Sequence, residues 1–169
     1  MSTKVLVAYA SKLGATAEIA EKIGEALRRN GLEADVLPVG RVRDLTPYGA
    51  VIIGSAVYYG RWRKGAVKFL EKNKKLLTER RVWLFSSGPT GVGDPVDLTK
   101  GWRFPKALQP IIDSIRPRDI AVFHGRMDPK TLGPFQKWVL KKVKAPLGDF
   151  RDWDAVGSWA AAIAAALKK

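Results

Sequence analysis

Ser11, Gly14 and Thr16, with Lys12, Leu13 and Ala15 between them, stand where an apolar run, Lys4–Ala10, gives way to a stretch rich in Ala, Glu and Ile. Residues of these types at such a joint can bind an anion. The first amides of a helix have no intrahelical partner, the helix dipole is positive at that end, and hydroxyls add further hydrogen bonds. The turn is not a P-loop, because G-x-x-x-x-G-K-[ST] is absent, and it is not the G-x-G-x-x-G of dinucleotide folds, because Gly14 stands alone. Without a lysine–magnesium arrangement it suits a phosphate monoester that is held and never transferred. The competing reading is a plain turn in which Thr16 caps the helix.

Two further segments have the composition of binding loops. Ser55-Ala56-Val57-Tyr58-Tyr59-Gly60, followed by Arg61 and Trp62, brings three aromatic rings together. Ser86-Ser87-Gly88-Pro89-Thr90 is small and polar, thin enough for backbone to approach a ligand. One loop polar for an anion, one aromatic for a planar ring and one thin enough for backbone contact together describe a flat heterocycle with a phosphate tail. Trp62 can instead open the core stripe Ala66, Phe69 and Leu70 of a following helix. His124, the single histidine, invites a proton-transfer role, but a lone imidazole before glycine reads better as a surface or hydrogen-bonded structural residue. Tyr9 and Trp83 read as core, and Asp94 and Asp97 as residues of a solvated loop.

Elements must position these loops. Strands are expected at Lys4–Ala10, Glu33–Pro38, Ala50–Ser55, Arg81–Ser86 and Asp119–His124, where short β-branched runs lie between turn residues. Helices are expected at Thr16–Asn30, Trp62–Leu77, Pro105–Ile115, Gly133–Lys144 and Trp153–Leu167; Ile19, Ile23, Ala26 and Leu27, for example, recur at helical spacing. Alternating strands and helices demand right-handed crossovers and a parallel sheet between helical layers, with the ligand beyond the carboxyl ends of the strands. Asn30-Gly31 stops the first helix and Asp152 caps the last. Gly88–Gly101 has no clear period and reads as a long loop.

With 169 residues, one domain over residues 1–169 is expected. Zero cysteines exclude disulfides, thiol redox chemistry and cysteine-ligated metals, so any redox chemistry comes from an organic cofactor. The N-terminal apolar run is strand-length, neither signal peptide nor membrane span, and a cytoplasmic location is expected.

On these residues the chain resembles the flavodoxin-like family of FMN proteins along essentially its whole length. Ser11–Thr16 is similar to the family's hydroxyl-rich phosphate loop, commonly T-x-T-G-x-T, with Leu13 where a hydroxyl residue usually stands. Within the family it resembles the menaquinone-dependent protoporphyrinogen dehydrogenases. Ile53-Gly54-Ser55 through Tyr59-Gly60 matches their I-G-[small]-x-x-x-Y-G turn, and Gly148-Asp149-Phe150-Arg151-Asp152-Trp153 with Trp159-Ala160 is similar to their tail. The resemblance implies an α/β flavodoxin-like three-layer sandwich, a five-stranded parallel sheet of order 2-1-3-4-5 with helices on both faces. It also implies FMN bound without a covalent link. Ser11, Lys12, Leu13, Gly14, Ala15 and Thr16 would hold the phosphate. The isoalloxazine would lie between Ser55, Ala56, Val57, Tyr58, Tyr59 and Gly60 on one side and Ser86, Ser87, Gly88, Pro89 and Thr90 on the other. Tyr59 is the first choice for ring stacking. Flavin chemistry needs no protein nucleophile, and no catalytic acid or base is nominated.

Charge separates this chain from electron-carrier flavodoxins, which are typically acidic. Its net charge is +14, and Arg61–Arg81 and Arg126–Lys144 supply +12 of it. Nearby positive charge favours a reduced, anionic flavin and so raises its potential, which suits substrate oxidation. In Pro134–Lys144, Phe135, Trp138, Val139 and Val143 can share one helical face flanked by Lys137, Lys141 and Lys142. Such a helix either lies on an anionic membrane surface or packs its stripe on the sheet and exposes its lysines. No signature of nucleic-acid recognition accompanies the charge. The expected function is an FMN-dependent oxidoreductase that oxidises protoporphyrinogen IX or another reduced substrate and passes the electrons to a quinone, working at the inner face of the membrane. A soluble carrier or quinone reductase, and a non-enzymatic interaction module, are the alternatives. A phospho-receiver is disfavoured, because the first strand ends in Ser11-Lys12 without an acidic cluster.

Overall fold

The computed structural model describes residues 3–128, 130, 132–143 and 146–169, without the side chains of Val139, Leu140 and Val143. β1 (Val5–Ala10) is central to a parallel sheet that also contains β2 (Ala34–Pro38), β3 (Ala50–Tyr58), β5 (Arg81–Ser87) and β6 (Asp119–Phe123), in the order β2-β1-β3-β5-β6. This is the expected 2-1-3-4-5 order among the five parallel strands. Val7 pairs with Val36 on one side and Ile52 on the other, so β1 is hydrogen-bonded along both edges.

The pleat divides the strand side chains between two cores. Val5, Val7, Ile52 and Phe85 face α1 (Ala15–Arg29) and α7 (Trp153–Lys168). Leu6, Ala8, Val51, Ile53 and Leu84 face α2 (Lys64–Lys72), α3 (Lys74–Thr78) and α5 (Gln109–Ile115). Side chains such as Leu6, Ile52 and Leu84 are fully buried, each contributing about 1.5–3 kcal/mol. Gly54 is a packing requirement: a Cβ there would fall 1.9 Å from Phe85 Cζ. The space it leaves admits Phe85, whose ring packs on Phe123 and Trp159 at centroid distances of 5.8 and 6.1 Å. Local signals end the helices as expected. Asn30 Nδ2 donates to the Ala26 carbonyl, Gly31 has φ 83°, and Asp152 Oδ1 accepts from the Ala155 amide at 3.0 Å.

Several elements differ from the sequence expectation. β3 runs on past Ser55 to Tyr58, because Tyr58 and Val57 pair antiparallel with β4 (Arg61–Trp62). Trp62 therefore belongs to a hairpin and not to a helix, and the helix expected at Trp62–Leu77 is two, parted at Asn73, whose side chain donates to the Phe69 carbonyl. The long loop contains a short helix, α4 (Pro95–Leu98), because Asp94 Oδ1 accepts from the Val96 and Asp97 amides. β7 (Arg126–Met127) and β8 (Gly148–Asp149) form a small antiparallel ribbon that no periodicity announces. It brackets α6 (Pro134–Val143); Lys144, expected to end that helix, lies outside the described residues.

Candidate functional site

The carboxyl ends of β1, β3, β5 and β6 surround a cleft of about 630 Å³. Its first wall is the turn between β1 and α1. Gly14 caps α1 with φ 90°, and Ser11 Oγ accepts from the Gly14 amide at 3.1 Å, which closes the turn just ahead of the first amides of α1, the ones without intrahelical partners. Thr16 makes no capping bond, contrary to the plain-turn reading. It is buried, with Oγ1 3.2 Å from Ser87 Oγ. If Ser87 donates in this pair, the Thr16 hydroxyl proton is free for an anion.

The second wall is the hairpin of β3 and β4. Its two-residue turn is Tyr59-Gly60, both at positive φ (52° and 71°), the pattern of a type I′ hairpin turn. Tyrosine in this region costs about 1–2 kcal/mol, and the geometry holds the Tyr59 ring at the cleft mouth, 78% exposed. Tyr58 is more enclosed. Burial pushes its hydroxyl pKa up, opposed by the charge of Arg63. Lys12 Nζ and Arg63 Cζ lie 5.6 and 5.9 Å from the Tyr58 ring centroid.

The floor is glycine on glycine. A Cβ on Gly125 would stand 2.9 Å from the Gly88 carbonyl oxygen, and the Gly125 amide donates to the Pro89 carbonyl at 2.9 Å. Only bare backbone permits β5 and β6 to end so close together.

Among the residues expected at a ligand, Ser11, Lys12, Leu13, Ala15, Thr16, Ala56, Val57, Tyr58, Tyr59, Ser87 and Gly88 line this cleft. Gly14, Ser55, Gly60, Ser86, Pro89 and Thr90 do not. Ser55 and Ser86 are fully buried with their hydroxyls engaged internally. Ser55 Oγ accepts from the Arg63 amide and donates to the Ala56 carbonyl; Ser86 Oγ accepts from Trp62 Nε1 at 2.9 Å and donates to the Arg103 carbonyl at 2.8 Å. They brace the second wall. Gly14 and Gly60 shape their turns, and Pro89 supplies the carbonyl that Gly125 uses.

Sequence reasoning did not place Arg63, Gly125, Arg126, Met127, Leu132, Phe135 and Gln136 at the ligand. The signals it had there, the charge of Arg126–Lys144 and the apolar face containing Phe135, pointed instead to a membrane surface or to packing on the sheet. His124 itself is outside the lining, and its Nε2 is buried without a hydrogen-bond partner, so the hydrogen-bonded reading fails at that atom. Phe135 and Trp138 are 70% and 53% exposed and stacked at 6.1 Å, so this aromatic pair of α6 does not pack on the sheet. Lys142 Nζ lies 4.1 Å from the Trp138 ring centroid.

A charge cluster ties the walls together. The Arg151 side chain, 5% exposed, donates from Nε and Nη2 to the two oxygens of Asp149, and from Nη1 to Glu18 and the Ala15 carbonyl. Arg126 reaches the same Glu18 at 3.5 Å. The bonds from Arg151 hold the Asp149 carboxyl below its usual range. No Asp or Glu lines the cleft, and no group of acidic, histidine or cysteine side chains among the described residues could hold a metal ion. The lining is cationic at Lys12, Arg63 and Arg126 and otherwise uncharged and largely apolar.

Comparison with known proteins agrees. A family model described as "Flavodoxin domain" matches residues 6–154. Protoporphyrinogen IX dehydrogenase (quinone) of Escherichia coli (strain K12) is 31% identical over 72 residues, covering 41% of this chain and 40% of that protein. This chain thus matches less than half the length of that relative. Among solved structures, a flavodoxin from the domain Archaea superposes with a TM-score of 0.66 at 15% identity, covering 98% of this chain and 99% of the other. A Fusobacterium nucleatum flavodoxin mutant bound to flavin mononucleotide superposes with a TM-score of 0.52 at 18% identity, covering 72% of this chain and 68% of the other.

Proposed function

The chain belongs to the flavodoxin domain family, and on that premise we propose that it is an FMN-dependent oxidoreductase that takes electrons from a reduced, acidic substrate such as protoporphyrinogen IX and delivers them to a quinone. FMN is the cofactor this membership supports, and the residues fit it. One observation carries the reading: the anion-binding turn, the aromatic hairpin and the Gly88–Gly125 floor close around a single cleft.

Ser11, Thr16 and the first amides of α1 would hold the phosphate, Tyr58 and Tyr59 would flank the ring, and Ser87 and Gly88 would hydrogen-bond its polar edge. Bound FMN supplies the hydride and electron chemistry, so no side chain is required as a nucleophile. The protein's own part is to position the ring, keep water from it with Leu13, Val57, Met127 and Phe135, and surround it with positive charge. That charge favours the reduced anionic form and suits substrate oxidation. Support for the substrate and acceptor comes from the E. coli relative.

The exposed Phe135 and Trp138, with Lys137, Lys141 and Lys142 beside them, support contact of this wall with an anionic membrane surface, where a quinone would be reached. No helix among the described residues is long and apolar enough to cross a membrane.

The test is the visible spectrum of the purified protein after FMN addition and removal of unbound flavin, followed by anaerobic mixing with protoporphyrinogen IX and then with a quinone. Retained flavin that is bleached by the porphyrinogen and restored by the quinone is expected. Retained flavin bleached only by other donors would leave a carrier or quinone reductase, and absence of retained flavin in folded protein would leave an interaction module.

A further inference from the structure

Three cations line the cleft, and they are not equivalent. Arg126 has a carboxylate partner, Glu18 at 3.5 Å. Lys12 and Arg63 have none among the described residues, and no acidic side chain lines the cleft to serve as one. Their chain positions are far apart, one in the first turn and one after the hairpin, yet both heads come within 6 Å of one ring, that of Tyr58. Each is held at its base. Lys12 sits in the turn that Ser11 closes on Gly14, and the Arg63 amide donates to the buried Ser55 Oγ at 2.9 Å. The contact of each cation with the ring is weaker than a charge-assisted hydrogen bond, so both remain available to an anion.

We infer that Lys12 and Arg63 form an acid-binding clip at the cleft mouth, which selects substrates carrying carboxylates on an apolar body. Guanidinium accepts a carboxylate in a two-point fork and ammonium adds a point charge. Tyr58 offers its ring edge, and Val57, Tyr59, Met127 and Phe135 offer apolar surface to the body of the ligand. The clip takes Lys12 from the cofactor phosphate, where the resemblance had put it, and leaves that anion to Ser11, Thr16 and the first amides of α1. The inference rests on the proposed function in taking the cleft as the place where substrate meets FMN.

The experiment measures equilibrium binding to the FMN-loaded protein for two acid and ester pairs: protoporphyrin IX with its dimethyl ester, and 1-pyrenebutyrate with its methyl ester. Fluorescence reports the binding in each case. In the unaltered protein, the acid of at least one pair is expected to bind about tenfold or more tightly than its ester, since a charge-assisted hydrogen bond is roughly twice as strong as a neutral one. Lys12→Gln with Arg63→Gln, measured with FMN held at saturation, should abolish this preference by weakening the acid while the ester binds as before. Lys68→Gln with Lys72→Gln removes the same charge from α2 away from the cleft and should retain the preference, which separates a local clip from the general field of a +14 protein. A preference seen and abolished only with the pyrene pair would sustain the clip while counting against porphyrinogen as substrate. No preference in either pair, a preference that survives the cleft substitutions, or one lost equally in the α2 control would overturn the clip.

Discussion

Thr16 Oγ1 lies 3.2 Å from Ser87 Oγ, joining the first turn of α1 to the end of β5 across 71 residues, with both side chains buried. The bond couples the Ser11–Thr16 turn, the expected phosphate site, to the wall expected along the polar edge of the flavin ring. Substituting Thr16→Val keeps the shape, removes the hydroxyl from the phosphate site and leaves Ser87 unpaired. FMN affinity should fall by about 1–3 kcal/mol, with a loss of stability of similar size. Flavin titration and thermal melting read the two effects, and unchanged affinity would place the phosphate away from this turn.

Gly125→Ala is expected to damage the floor. The new Cβ would stand 2.9–3.1 Å from Gly88 backbone, which has no flexible side chain to yield. A stability loss of about 1–3 kcal/mol is expected from overpacking, together with weaker FMN retention. Gly133→Ala meets nothing within 4 Å and serves as the control. Equal melting temperatures for the two variants would contradict the close approach.

Tyr59→Asn separates the ring from the turn. Asparagine tolerates the left-handed region, and Asn-Gly is a favoured type I′ pair. The hairpin should gain up to about 1 kcal/mol, while FMN binding weakens through loss of the ring. A variant that keeps full FMN affinity would leave Tyr58 as the aromatic partner of the flavin.

Arg151→Ala removes the donor shared by Asp149, Glu18 and the Ala15 carbonyl. The expected cost is about 1–3 kcal/mol, below that of a fully buried pair because Glu18 and Asp149 are about half exposed. Arg151→Lys should recover little, since an ammonium cannot make the fork. FMN affinity should drop with stability, because the bond to Ala15 steadies the first turn of α1. Denaturant melts with flavin titration check both.

At alkaline pH, Tyr48 governs a separate effect far from the cleft. Burial, reinforced by its hydrogen bond to Asp35 at 2.6 Å, pushes its pKa up to about 12. A tyrosine whose folded-state pKa lies above its unfolded value near 10 contributes stability that is fully present below pH ~10 and is lost as pH rises toward 12. Tyr48→Phe should therefore be less stable than the parent at pH 8, and the gap should narrow over that window. A constant gap from pH 8 to 12 would sink the assignment.

The chain by itself determined the alternation of strands and helices and the place of the Ser11–Thr16 turn between β1 and α1. These follow from runs and periods within a dozen residues. The β-branched run Val5–Ala10, the spacing of Ile19, Ile23 and Leu27, and the stop at Asn30-Gly31 are local facts that the fold keeps. Tertiary structure decided what each polar side chain does. Ser55, Ser86 and Ser87 have the same composition signal, yet two are consumed by Arg63, Trp62 and Arg103 while the third faces the cleft. Trp62 left its helix because β4 could pair with the end of β3, a contact that no helical period encodes. The wall from Gly125 to Gln136 and the union of Glu18 with Arg151, 133 residues apart, depend on which strand ends the sheet order makes neighbours. Hydrogen-bond donors and acceptors are satisfied by proximity in space, and that proximity exists only once the sheet has formed.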